Sequence, residues 1–89
     1  MTKTKLLVGS FSNDLQRVAS LSYRGSDKAA AKFFNEAKRW AAELKKQPVK
    51  DYIKDIAEEI TSEPQLDSQK AETYLMYSVL LQNYSLQID

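Results

Sequence analysis

Neither cysteine nor histidine occurs anywhere in the 89 residues. Without cysteine the chain has no disulfide framework, no zinc-thiolate site and no thiol nucleophile. Without histidine it lacks the commonest general base and the commonest transition-metal ligand near neutral pH. Triads, zinc hydrolysis and thiol chemistry are therefore excluded, which leaves carboxylate, Lys, Tyr or Ser chemistry. Glycine and proline occur only twice each, too little material for the tight turns of an all-β fold. No run of residues approaches the roughly 20 apolar positions of a membrane-spanning helix. The opening Met1-Thr2-Lys3-Thr4-Lys5-Leu6-Leu7-Val8 meets Gly9, Ser10, Asn13 and Asp14 too soon to form a signal-peptide core. These absences read as a cytoplasmic chain with no membrane span. Its 43% hydrophobic and 28% charged residues place it in the globular class rather than the disordered one.

What is present is helical periodicity. Leu7, Phe11, Leu15, Val18 and Leu21 or Ser22 make one apolar stripe. That helix starts either near Lys3 or at Ser12, and the stripe favours Lys3. Gly25 is a suitable residue just past its end. Ser26-Asp27 reads as a cap with an acid in the first turn. The second helix carries Ala30, Phe33, Phe34, Ala37, Ala41 and Leu44, with Trp40 at the edge of the stripe. Pro48 reads as a first-turn residue of the third helix, whose stripe is Val49, Tyr52, Ile53, Ile56, Ala57 and Ile60. Pro64 ends it, and Asp67 caps the fourth helix. The spacing predicts a single domain over 1–89 with helices at about 3–24, 27–46, 48–62 and 68–87. Short connections of this kind favour antiparallel neighbours, so the expected fold is an all-α, compact four-helix bundle.

The fourth helix has more apolar surface than one stripe. Leu75, Val79 and Leu86 occupy one arc; Tyr74, Tyr77, Leu81 and Tyr84 occupy another, and Met76 and Leu80 extend around the back. Such a helix is either the centre of the bundle or has one arc inside and one against a second chain. Tyr and Met are enriched at interfaces, and a two-fold homodimer is the commonest assembly. Tyr74, Tyr77, Leu81 and Tyr84, with Trp40, are the sequence candidates for a protein interface.

Charge is split along the chain. Residues 1–54 hold twelve Lys or Arg against five Asp or Glu, a net +7; residues 55–89 hold one against seven, a net −6. Arg24, Lys28, Lys32, Asn35 and Arg39 fall three and four apart, on one face of the second helix, with Lys45, Lys46 and Lys50 beyond it. Such a row either keeps the helix solvated or tracks phosphates. The Arg24-Gly25-Ser26 turn imitates a helix-turn-helix, but Asp27 and Ala29 to Ala31 are poor base readers, so sequence-specific DNA binding is disfavoured. Arg24, Lys28, Lys32, Arg39 and Lys46 are the candidate nucleic-acid contacts. Asp51, Asp55, Glu58, Glu59 and Glu63 bring carboxylates to the third helix, yet a di-metal bundle site would expect Glu-x-x-His motifs. No phosphate loop or nucleophile motif is present. The reading is of a non-enzymatic interaction module without cofactor or metal, self-associating through its last helix. Nucleic-acid binding is the alternative, and a carboxylate-dependent metal binder or enzyme the weaker one.

Overall fold

In the computed structural model, which describes residues 2–88, α1 spans Lys3–Tyr23, α2 Asp27–Leu44, α3 Asp51–Ser62 and α4 Ala71–Gln87. Met1 and Asp89, the ends of the expected domain, lie outside the described residues. The fold is an all-α four-helix bundle. Thr2 caps α1, its side chain accepting a hydrogen bond from the Lys5 backbone N–H at 3.1 Å, so the helix takes the longer of its two expected starts. Its other end closes in a Schellman motif. Ser26 N–H reaches the Leu21 carbonyl at 2.8 Å, and Gly25 N–H reaches that of Ser22 at 3.1 Å. This geometry needs a left-handed residue, and Gly25 supplies it with φ +78°.

Three local expectations are corrected. Ser26 occupies the N-cap position of α2, but its side chain makes no capping bond. Pro48 is not helical: α3 begins three residues later, after an extended Lys50 with ψ 155°. Val49 accounts for the delay, because its side chain is drawn into the core from the segment between the two helices. The fourth helix is entered through a short 3-10 turn, Ser68–Lys70, in which Asp67 accepts from the Gln69 N–H at 3.0 Å. Regular helix starts only at Ala71.

Side-chain contacts fix the topology. Thr4 meets Gln47, and Asp14 meets Trp40, so α1 and α2 run antiparallel. Lys45 bonds Glu58 while Lys38 bonds the Glu63 carbonyl, so α2 and α3 do too. Tyr84 lies edge-on to Tyr52, and Tyr77 bonds Glu59, so α3 and α4 are antiparallel. Ser12 Oγ donates to the Ser78 carbonyl at 2.7 Å and closes the ring between α1 and α4. The short side chains of Ser12 and Ser78 at that crossing are both buried. The bundle is therefore up-down-up-down, with α2 and α4 on opposite corners. Its core contains Phe11, Leu15, Phe34, Leu44, Ile53, Ile60, Tyr74 and Leu81, all essentially without solvent exposure. Phe34 and Tyr74 touch across the diagonal with ring centroids 5.6 Å apart.

Candidate functional site

The apolar arcs of α4 take opposite places from those expected. Tyr74 and Leu81 are fully buried and Tyr84 nearly so, while Tyr77 is half-buried against the core. Three of the four interface candidates on this helix are thus core residues, out of reach of a second chain. For Tyr74 and Tyr77 the reason lies in the hydroxyls. The Tyr74 ring fills the bundle interior while its OH donates to Glu63 Oε2 at 2.7 Å, and the Tyr77 OH donates to Glu59 Oε2 at 2.7 Å. Phenols that find carboxylates at the core margin are buried without leaving a polar group unpaired. Burial, then the bond to Glu59, pushes the Tyr77 hydroxyl up to about 12. Burial and the bond to Glu63 push that of Tyr74 higher still.

The outward arc is made of Leu75, Met76, Val79, Leu80 and Leu86, between 38% and 74% exposed. At 100° per residue these five fall within an arc of roughly 140° on one side of the helix. Among the described residues they account for most of the exposed large hydrophobics; the others are Leu6, Tyr23 and Tyr52. Glu72 is the one charged residue on that arc, at its N-terminal end, and Asn83 and Gln87 are its neutral polar members. Because α4 leaves this face open, it is not the enclosed centre of the bundle. Sequence periodicity displayed both arcs; the signal that tells them apart is a pair of acceptors, Glu59 on α3 and Glu63 just past its end.

Trp40 sits elsewhere, on the α1-facing side of α2. It is half-buried, and its Nε1 donates to Asp14 Oδ2 at 2.8 Å. Asp14 is a buried carboxylate whose other oxygen takes Arg17 at 3.2 Å. The Arg17 guanidinium lies 5.3 Å from the Phe33 ring centre. Together these groups line an open groove of about 460 Å³ between α1 and α2. In the sequence Asp14 marks only the polar end of the opening apolar run, and nothing along the chain pairs it with Trp40.

The structure places the basic candidates Lys28, Lys32, Arg39 and Lys46 in one solvent-facing line along α2 and the turn after it, with Arg24 exposed before its start. Arg39 pairs with Glu36 at 3.0 Å and Lys46 with Glu43 at 3.8 Å, both between exposed groups. Lys28 and Lys32 make no ion pair among the described residues. Of the acidic candidates on and just past α3, Glu58, Glu59 and Glu63 are held in separate contacts. Lys45 bonds Glu58 and lowers its pKa. Glu63 takes Lys70 at 3.0 Å besides Tyr74, and that bond raises the lysine's pKa. Among the described residues no three carboxylates converge as a cation site would require, and no helix is long and apolar enough to cross a membrane.

Compared with protein-family models, with curated proteins and with solved structures, the chain finds no match. The functional reading accordingly rests on its own surfaces.

Proposed function

We propose that this chain is a non-enzymatic interaction module that pairs with a second copy of itself through the outward face of α4. The observation that carries the reading is the exposed apolar row Leu75, Met76, Val79, Leu80 and Leu86 on one side of α4. Its accessible surface comes to roughly 500 Å², near the upper end of the largest patch on an ordinary monomer. Paired with itself it would remove about 1,000 Å² from water, the lower bound for a specific interface.

The charge pattern supports a second copy as the occupant. The face is neutral apart from Glu72, so it needs no partner of opposite sign. In a two-fold antiparallel pairing, Glu72 of each protomer lies beyond opposite ends of the shared row. The two carboxylates then avoid one another, whereas a parallel pairing would bring them together. Such an interface is apolar, and salt does not screen it.

The test is solution mass by light scattering after size exclusion, in low and in high salt. The protomer is 10.2 kDa. The expected result is a species of about twice that mass in both buffers, reduced to the monomer by Val79→Glu with helical content unchanged. Val79 is 49% exposed, so the substitution leaves the monomer core intact. A wild-type monomer at tens of micromolar overturns the reading. So does a dimer that dissociates in high salt, since that points to pairing of the charged halves instead.

A further inference from the structure

The basic line on α2 lies on the far corner of the bundle from α4 and is independent of the pairing face. We infer that it is a docking surface for the phosphate backbone of double-stranded nucleic acid, bound without regard to sequence.

Three observations point to this partner. The first is the layout of the charges. Lys28, Lys32 and Arg39 are exposed along one edge of α2, and Lys46 continues the line just past its end. Lys32, Arg39 and Lys46 are each seven residues apart, two turns or about 10.5 Å where the chain is helical. The whole line is roughly 25 Å long on that rise, and Asn35 adds an exposed amide within it. A row of cations held along one helix edge matches an extended, regularly charged polyanion.

The second observation is what the row lacks. No exposed large hydrophobic residue lies on α2; Phe33 and Trp40 are half-buried on the side that faces α1. Base stacking on aromatic platforms, the usual mode for single strands, has no residue to carry it. Insertion into a bilayer has no apolar wedge. Base-edge readers are missing as well, because the start of the helix offers Asp27 and Ala29 to Ala31 around one lysine. What remains is contact with phosphates.

The third is that the cations are available. Lys28 and Lys32 have no ion-pair partner among the described residues. The pairs of Arg39 with Glu36 and Lys46 with Glu43 are exposed and three residues apart. Such pairs contribute little, and a phosphate can replace the carboxylate.

The experiment is fluorescence anisotropy of a labelled 24-base-pair duplex of arbitrary sequence, titrated with the protein at several salt concentrations. Four phosphate contacts give a slope of log K against log salt between about −3 and −4, or roughly a 100-fold loss from 50 to 200 mM. Lys32→Glu with Arg39→Glu should weaken binding at least tenfold and flatten the slope by about two. A single Arg39→Glu should cost more than Lys5→Glu. Both make the same change in net charge, but Lys5 borders the α1–α4 groove beside Ser85 rather than the α2 line. Circular dichroism checks that each variant keeps its helices. Absence of binding at 50 mM salt overturns the inference, as do equal losses in the two single variants. Retention on vesicles carrying anionic headgroups, with none on the duplex, overturns it in favour of a membrane surface.

Discussion

The bond between Trp40 and Asp14 offers the sharpest test of the packing between α1 and α2. Asp14 is 7% exposed, so its carboxylate depends on protein donors rather than on water. Trp40 Nε1 supplies one at 2.8 Å, and Arg17, itself 57% exposed, supplies the other at 3.2 Å. Trp40→Phe keeps an aromatic ring in the groove but removes the donor, leaving a buried carboxylate oxygen unpaired. A hydrogen bond to a charged group contributes about 1.5–3 kcal/mol, and a buried group left unpaired costs a similar amount. The exposed Arg17 pair adds little. The expected loss is therefore about 2 kcal/mol. In a domain of this size, each kcal/mol moves the melting temperature by about 4–8 °C. Urea unfolding, with a slope near 1 kcal/mol/M for a small protein, would show a midpoint lower by roughly 2 M. Asp14→Ala strands the indole N–H in the same way, so the two changes should couple. A double-mutant cycle of Trp40→Phe and Asp14→Ala at fixed protein concentration should return about 1–2 kcal/mol of interaction energy. If the two losses simply add to within about 0.5 kcal/mol, the contact carries no stability and the reasoning is refuted.

Two further outcomes follow from local geometry. The Tyr77 hydroxyl is pushed up to about 12 and that of Tyr74 higher, chiefly by burial, whereas both ionise near 10 in the unfolded chain. The folded state keeps these protons longer, so the stability they contribute is complete below pH 10 and is lost as pH rises from 10 through about 12. Tyrosinate absorbance should show a late-ionising class that shrinks in Tyr77→Phe, and a single transition near pH 10 for the whole phenol population would falsify the assignment. At the α1–α2 turn, a Cβ on Gly25 would meet nothing within 4 Å, so Gly25→Ala isolates the strain of φ +78°. It should cost about 1 kcal/mol, read as a lower melting temperature; an unchanged one would mean that the turn relaxes without loss.

Much of the bundle was legible because three helices bury a single stripe. Leu7, Phe11, Leu15 and Val18 are spaced for one face of α1, and all four are buried. In α2, Ala30, Phe34, Ala37, Ala41 and Leu44 behave alike, and Gly25 announces the turn between them. Pro48 misled because proline fits the first turn of a helix and the extended approach to one equally well; what decides is the burial of Val49, a tertiary effect. Periodicity failed most clearly on α4, where apolar residues lie on both sides. Hydropathy favours aliphatic Leu75 and Val79 for the core over three tyrosines. The carboxylates Glu59 and Glu63 reverse that preference by accepting the bonds of Tyr77 and Tyr74. They lie 18 and 11 residues before their partners, on α3 and just past its end, and the periodicity of α4 itself carries no trace of them. The partnership of Trp40 with Asp14 joins positions 26 residues apart and was hidden for the same reason.

The diagonal placement of α2 and α4 has a mechanical corollary. Two copies joined back to back on α4 would carry their lysine and arginine lines on opposite outer sides, separated by the thickness of both bundles. Such a pair could not wrap one duplex with both lines at once. It would instead tether two separate segments, and the second attachment would gain from the local concentration created by the first. Aggregation of long DNA that requires both the α4 face and the α2 line, and fails when either is altered, would be its signature.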